Sequence, residues 1–293
     1  MAPMFRTRTG GFPIGFRRGW SDWQKDLSGL AAWASSNGFA LIDLGGDADT
    51  SAPTVASAGL GIGSADLLDW NALFSHDAGE RAEAVAKNAE YCQRCAAQGI
   101  KNFFVVVLPK DPSRSRAENF GYAVEGFAAL CPSLEQCGGR VAIEGWPGPC
   151  ALACTPEGVR ALFREVPSPA MGLNYDPSHL LRMGIDPVRF LKEFAGRVAH
   201  VHGKDTELLM DGLYEYGSEQ PPTFGKPVGF GGMHWRYCIP GHGHVHWPAV
   251  MAALVESGYA GGIGIELEDA FFNGTTEGEQ TALLASAAFL ASV

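Results

Sequence analysis

The chain has 293 residues, 46% of them hydrophobic and 18% charged, with 38 glycines and 18 prolines. That apolar fraction supports a large core and excludes a disordered chain or a disulfide-dependent miniprotein. With 22 Lys and Arg against 32 Asp and Glu the net charge is −10, which repels phosphate backbones and anionic lipid and argues against a nucleic-acid or membrane-surface partner.

In chain order, short apolar or β-branched runs alternate with amphipathic segments. Strands are expected at Phe12–Arg17, Phe39–Gly45, Leu60–Ser64, Asn102–Leu108, Arg140–Gly145, Met171–Asp176, Arg197–Lys204 and Gly262–Glu266. Between the third and fourth, Ala82, Val85, Ala86, Ala89, Cys92 and Ala96 recur at helical spacing and are expected to be the buried face. Asp186 followed by Pro187 reads as the N-cap and first turn of a helix burying Val188, Leu191 and Phe194. Eight strands interleaved with helices favour a parallel sheet closed into a (β/α)8 TIM barrel, one α/β domain over residues 1–293. A doubly wound sheet is disfavoured, because Gly59-Leu-Gly61-Ile-Gly63 lacks the spacing of a dinucleotide turn.

The N-terminal residues lack the apolar stretch of a secretory signal, and no run approaches the roughly 20 apolar residues of a membrane span, so a cytoplasmic protein is expected. Seven cysteines without repeating spacing read as buried free thiols, since Cys92-x-x-Cys95 has no second pair to complete a zinc site. One segment breaks the rhythm. From Glu207 to Cys238 the chain is rich in Gly, Pro and aromatics, and residues 207–238 are expected to form a lid-like insertion after the seventh strand, at the carboxyl-end mouth.

Read with period 2, the last four strands share a pattern. Val141 and Ile143 lie opposite Ala142 and Glu144, Leu173 and Tyr175 opposite Asn174 and Asp176, Ala199 and Val201 opposite His200 and His202, and Ile263 and Ile265 opposite Gly264 and Glu266. One face is mostly apolar and suits covering helices; the other ends in a metal-type ligand. For any single carboxylate an ion pair with Arg or Lys is an equal reading. Glu144, Asp176, His202 and Glu266 together would repel one another unless a divalent cation joined them, Mn²⁺ first, with Co²⁺, Mg²⁺ and Zn²⁺ also suited.

At these residues the sequence resembles the sugar phosphate isomerase/epimerase superfamily, the xylose isomerase-like TIM barrels. The resemblance is carried by Val-Ala-Ile-Glu144, Gly-Leu-Asn-Tyr-Asp176-Pro-Ser-His179, His200-Val-His202-Gly-Lys204-Asp205, Pro240-Gly-His-Gly243 and Gly264-Ile-Glu266. It implies that Glu144, Asp176, His202 and Glu266 bind one Mn²⁺ or Co²⁺, that Glu144 and Glu266 exchange protons with substrate, and that His179 contacts a substrate oxygen. The arginine that the sugar epimerases carry soon after Asp205 is missing, and Arg236 is the candidate replacement.

The expected activity is a sugar isomerase or epimerase working by proton transfer through a metal-stabilised enediolate on a keto-sugar. The alternative is a lyase that expels a group β to the carbonyl of a 3-oxo-glycoside, resembling C-glycoside deglycosidase subunits. Endonuclease IV, a relative that needs histidines on early strands, is disfavoured, as is a sugar sensor without activity. Lys204 and Trp146 are further candidates for substrate contact, with an ion pair and core packing as their competing readings. Asp43, Arg17 and Arg18 lie at early strand ends, His200 reads as a barrel-interior histidine, and His242, His244 and His246 as loop residues. The partners expected are a small sugar and further copies of the chain, with a partner subunit also compatible.

Overall fold

The structure is a computed structural model and describes residues 4–293. Among the described residues there are ten strands: β1 (Ile14–Arg17), β2 (Leu41–Leu44), β3 (Gly61–Asp66), β4 (Asn102–Val106), β5 (Arg140–Glu144), β6 (Met171–Tyr175), β7 (Val198–Gly203), β8 (Asp205–Leu208), β9 (Trp235–Cys238) and β10 (Ile263–Ile265). Eight of them close a barrel in the order β1-β10-β7-β6-β5-β4-β3-β2, with helices in the connections, so the fold is the expected TIM barrel. Each barrel strand falls on one of the eight expected runs. The other two, β8 and β9, form an antiparallel pair with Asp205 opposite Cys238 and Leu208 opposite Trp235. Asp205-Thr-Glu-Leu208 carries no apolar alternation, and it is the pairing of the two segments with each other that makes them strands.

By contact density the chain divides into two units, the divisions falling inside β2 and β7 and at the end of β6. The first comprises residues up to Leu41, Asp176–Ala195 and His202–Val293. In it β1 runs parallel to β10, with Gly15 opposite Gly264. Gly15 has no alternative residue, since a Cβ there would lie 2.0 Å from the Leu41 carbonyl oxygen. Phe16 meets Phe39 and Trp33 at ring separations of 5.0 and 6.1 Å, and Trp33 meets Trp23 at 5.3 Å. Such pairs add roughly 0.5–1.5 kcal/mol each beyond the area they bury.

One buried carboxylate pins the segment after β1. Glu279 Oε2 accepts hydrogen bonds from Ser21 Oγ (2.6 Å), Trp23 Nε1 (2.7 Å) and Gln24 Nε2 (2.9 Å). Burial pushes its pKa up, but the donors Ser21, Gln24 and Trp23 outweigh it and the net shift is downward. The stabilisation is therefore complete above the ordinary glutamate value of about 4.3 and is lost as pH falls through the lower folded value. Glu279→Gln should cost about 1.5–3 kcal/mol at neutral pH. Thermal melts from pH 7 to 3 should show its gap to the parent protein narrowing only at the acid end; a gap independent of pH would remove the charge from this account.

The second unit, Ile42–Tyr175 with Gly196–Val201, carries β3 to β6 in parallel register, ending with Glu144 opposite Asn174. Its longest helix, Arg116–Cys137, opens with a capping box in which Ser115 and Glu118 satisfy each other's backbone N–H. The helix Ala78–Ala96 is present as expected, but a different face is buried: Ala84, Asn88, Tyr91, Cys92 and Cys95, with Ala82 and Ala86 exposed. Alanine gains little by burial. The rotation is set by Tyr91, whose ring meets Phe103 at 6.4 Å, and by Asn88, whose amide bonds both Leu68 N (2.8 Å) and Leu68 O (2.9 Å). All seven cysteines are free thiols, with Cys92, Cys95, Cys131 and Cys238 buried. Among the described residues, no helix is long and apolar enough to cross a membrane.

Candidate active site

The ligand-type residues emerge from strand ends for local reasons. On β5, Val141 and Ile143 are buried on one face, which commits Glu144 to the other with Ala142. Glu144 is buried, and its Oε2 accepts from Asn174 Nδ2 at 2.5 Å. Asp176 follows β6 and caps the helix Pro177–Arg182, its Oδ1 accepting from Ser178 N (2.8 Å) and Ser178 Oγ (2.6 Å). Pro177 at the first helical position removes an N–H that the helix could not use. One oxygen of Asp176 is thus committed to the backbone, while the other, Oδ2, is buried without a hydrogen bond. On β7, His200 Nε2 meets Asp43 Oδ2 at 2.9 Å, which makes His200 a paired interior histidine, and His202 is fully buried.

Lys204 is the electrostatic centre of the first unit. It is 1% exposed, and its Nζ contacts Glu266 Oε2, lies 3.0 Å from Glu268 Oε2 and 3.3 Å from Asp176 Oδ2. Its ammonium also sits 4.5 Å from the centre of the Tyr237 ring. Glu266 further lies 3.4 Å from His202 Nδ1 and 3.5 Å from Arg17 Nε. Burial would raise the Glu266 pKa, but Lys204, then His202 and Arg17, hold it well below the usual carboxylate range, so the group is ionised.

Asp176, His202 and Glu266, all of the first unit, each offer one ligand atom, and the three atoms lie within 4.8 Å of one another. Two carboxylate oxygens and one imidazole nitrogen are a donor set for a borderline or hard divalent cation. Oδ2 of Asp176, which accepts no hydrogen bond although the Lys204 ammonium lies 3.3 Å away, is a buried acceptor of the kind a cation would satisfy. The residues therefore fit a divalent metal.

The remaining candidates divide. His179 is buried, with Nε2 3.4 Å from Asp176 Oδ2 and 3.4 Å from Lys204 Nζ. Lys204 pairs with carboxylates, and Asp205 is not among them. Asp205 instead accepts from Thr206 N, Gly241 N, Val245 N and Trp247 Nε1 at 2.8–3.1 Å, which ties the Pro-Gly-His-Gly loop to β8. Arg236 is 8% exposed and engaged by Glu207 Oε2 (2.6 Å) and Asp269 Oδ1 (3.2 Å), with Phe271 under its guanidinium at 4.5 Å. Trp146 is half-buried, its ring packed over Gly148. His242, His244 and His246 are exposed, with His246 capping the helix Trp247–Glu256 and His244 Nδ1 accepting from Leu208 N at 3.1 Å.

Two residues of this cluster were given no site role by the sequence reading. Glu268 follows Glu266 at period 2, so extending the strand alternation by one step would have found it. Tyr237 lies on β9, inside the segment read as an aromatic-rich lid-like insertion, where nothing local set it apart from the other aromatics.

Comparison with known proteins agrees with this architecture. A 32% identical segment of 155 residues is shared with the uncharacterised protein YfiH of Bacillus subtilis, covering 50% of this chain and 46% of YfiH. Inosose dehydratase of Clostridium tetani is 27% identical over 114 residues, 39% of this chain and 36% of that protein, so the chain spans about half or less of these curated relatives. Among solved structures, 3-keto-D-glucoside 4-epimerase YcjR from E. coli superposes with a TM-score of 0.69 at 15% identity, covering 95% of this chain and 98% of that one. D-psicose 3-epimerase, solved in the presence of D-fructose, gives a TM-score of 0.69 at 16% identity over 94% and 97% of the two chains. The family model described as xylose isomerase-like TIM barrel matches residues 29–292, nearly the whole barrel, and the chain belongs to that family.

Proposed function

We propose that the protein is a divalent-metal-dependent enzyme that moves a proton on the carbon beside the carbonyl of a keto-sugar, as an epimerase or isomerase. The observation that carries this reading is the approach of the Asp176, His202 and Glu266 donor atoms to within 4.8 Å of one another. Glu144, Asp176, His202 and Glu266 would hold the metal, which when bound polarises the substrate carbonyl and favours loss of the neighbouring C–H proton. Glu144 removes that proton and Glu266 returns one to the other face, or the two exchange roles. Glu266 is kept ionised at neutral pH by its positive neighbours, which fits the exchanged arrangement, in which Glu266 takes the proton and a protonated Glu144 returns one. Asn174 holds Glu144 by its Oε2, so the base is oriented before substrate arrives. His179 meets a substrate oxygen.

A second reading is favoured by one feature of the site. The Lys204 ammonium touches both Glu266 and Glu268 and could protonate a hydroxyl leaving from the β position, which would make the enzyme a dehydratase. Inosose dehydratases among the relatives support this outcome. Both reactions begin with the same proton abstraction, so one experiment separates them. The enzyme is incubated with Mn²⁺ in D₂O and a panel of free ketoses, keto-inositols and 3-oxo-glycosides, quenched with chelator and analysed by NMR. Deuterium beside the carbonyl with an epimer or aldose formed supports the first reading. Loss of water or an aglycone to give an unsaturated ketone supports the second. Absence of exchange on every substrate, with metal bound, would overturn both.

A further inference from the structure

A cavity of about 270 Å³ lies beside Glu266 within the first unit, walled by the segments that follow β1 and β10 and by one residue of the 207–238 insertion. Its inner wall carries Glu266 and Glu268 with Arg17 and Arg18, and its rim is aromatic. Trp20 on that rim is 84% exposed and Phe230 is 43% exposed. Large rings left in solvent at the mouth of a cavity mark a surface that a ligand covers. Each ring stands on a fixed base. Gly19 N, immediately before Trp20, donates to Gln24 Oε1 at 2.5 Å, and Ser21, immediately after it, bonds the buried carboxylate of Glu279, which also holds Gln24. Phe230 has φ +55°, the left-handed region that a bulky residue rarely enters. It is held there by its carbonyl, which accepts from Tyr237 N at 2.9 Å, and by the Gly232 N to Trp235 O bond of 2.9 Å in the same turn. A backbone kept in that conformation to present an aromatic ring is the kind of local strain found where ligands bind.

The wall narrows the ligand. Glu279 is occupied by Ser21, Trp23, Gln24 and Gly274 N, and Glu266 faces Arg17 Nε at 3.5 Å. Two arginines against three carboxylates leave no surplus of positive charge, so this wall does not select a phosphate or a carboxylate. A neutral ring suits it better. The aromatic rim offers faces for the C–H surface of such a ring. At the inner wall, guanidinium N–H groups donate to hydroxyls, and Glu268, whose Oε2 is engaged by Lys204 at 3.0 Å while 34% of its side chain stays exposed, accepts from them.

We propose that this cavity is a subsite for a second ring of the substrate, a neutral hexosyl group attached to the keto-sugar and stacked on Trp20 and Phe230. The preferred substrate is then a ring-bearing keto-sugar and not a free one, and the 207–238 insertion contributes to its selection through Phe230. This names the substrate class of the enzyme proposed above and rests on that reading for placing the reacting carbon at Glu266. Binding of the second ring is read without turnover, so the two are tested apart.

The test uses the full-length protein, with Mn²⁺ and separately without metal. The probes are lactulose, maltulose and isomaltulose, each a fructose carrying one neutral hexosyl ring, with fructose and a phosphorylated fructose for comparison. Dissociation constants come from calorimetry, and saturation-transfer NMR shows which ring of each probe touches the protein. At least one ring-bearing ketose is expected to bind about 10-fold more tightly than fructose, with saturation in its hexosyl protons. Trp20→Ala removes an exposed ring, and Phe230→Gly keeps a residue suited to positive φ, so neither disturbs the packing of the barrel. Each should weaken that binding roughly 3- to 10-fold and reduce the hexosyl signal, with a smaller change for fructose. Absence of hexosyl saturation with every probe, or variants that bind ring-bearing ketoses as the parent does, would overturn the inference. Tighter binding of phosphorylated fructose than of every ring-bearing probe would overturn it as well, by making the cavity an anion site. Proton exchange on fructose without binding of the second ring would reject the subsite and keep the proposed function. Ring binding that both variants lose, in a protein that exchanges no proton on any keto-sugar, would keep the subsite and reject the function.

Discussion

Glu266→Gln is expected to lower the rate of proton exchange by about 10²–10⁴-fold, the usual worth of a positioned acid–base group. Glutamine keeps the shape but cannot take a proton at neutral pH, and it removes one of the charged oxygens facing Lys204 and His202. Glu144→Gln should lose as much, since Glu144 is the other proposed proton carrier. Each variant also weakens a ligand, so turnover is measured at saturating Mn²⁺ with metal content determined on the same samples. The informative readout is deuterium wash-in. If the two glutamates serve opposite faces, one variant should still exchange the substrate proton with D₂O while forming no epimer. Full activity in either variant with metal bound would end the two-carboxylate mechanism.

The second large effect concerns the metal-free protein. Lys204 is the buried cation shared by Asp176, Glu266 and Glu268. Lys204→Met preserves side-chain length and leaves those carboxylates facing one another without a cation between them. Removing one partner of a buried ion pair costs about 3–5 kcal/mol. The metal-free variant should therefore melt well below the parent, and adding Mn²⁺ should raise its melting temperature more than the parent's, because the cation replaces the missing charge. The gain should follow the mass-action form for ligand binding to the folded state. A variant as stable as the parent without metal would mean that the carboxylates are neutralised some other way. Stabilisation by Mn²⁺ no greater than in the parent would argue against a cation site among them.

Much of the barrel was legible because its strands carry two signals at once. Val141 and Ile143, or Ile263 and Ile265, mark the apolar face of a strand, and the residues between them mark the other. The same alternation led to Glu144, Asp176, His202 and Glu266, and the donor atoms of the last three come together in the structure. Helix Ala78–Ala96 shows where the reading stopped: its length and type were plain, but alanines are nearly neutral to burial, so the facing of the helix was decided by Tyr91 and by the Asn88 bonds to Leu68.

What the sequence by itself determined was the order of elements and the chemical type of each strand end, since both follow from local periodicity that a chain carries wherever it folds. What only the tertiary structure decided was who pairs with whom. Lys204 goes to Glu266, Glu268 and Asp176 and away from its neighbour Asp205. Arg236 is held by Glu207 and Asp269. Tyr237 reaches His179 across 58 positions of chain. Those choices depend on distances between residues remote in sequence, and on the cost of leaving any buried charge without a partner, neither of which local composition encodes.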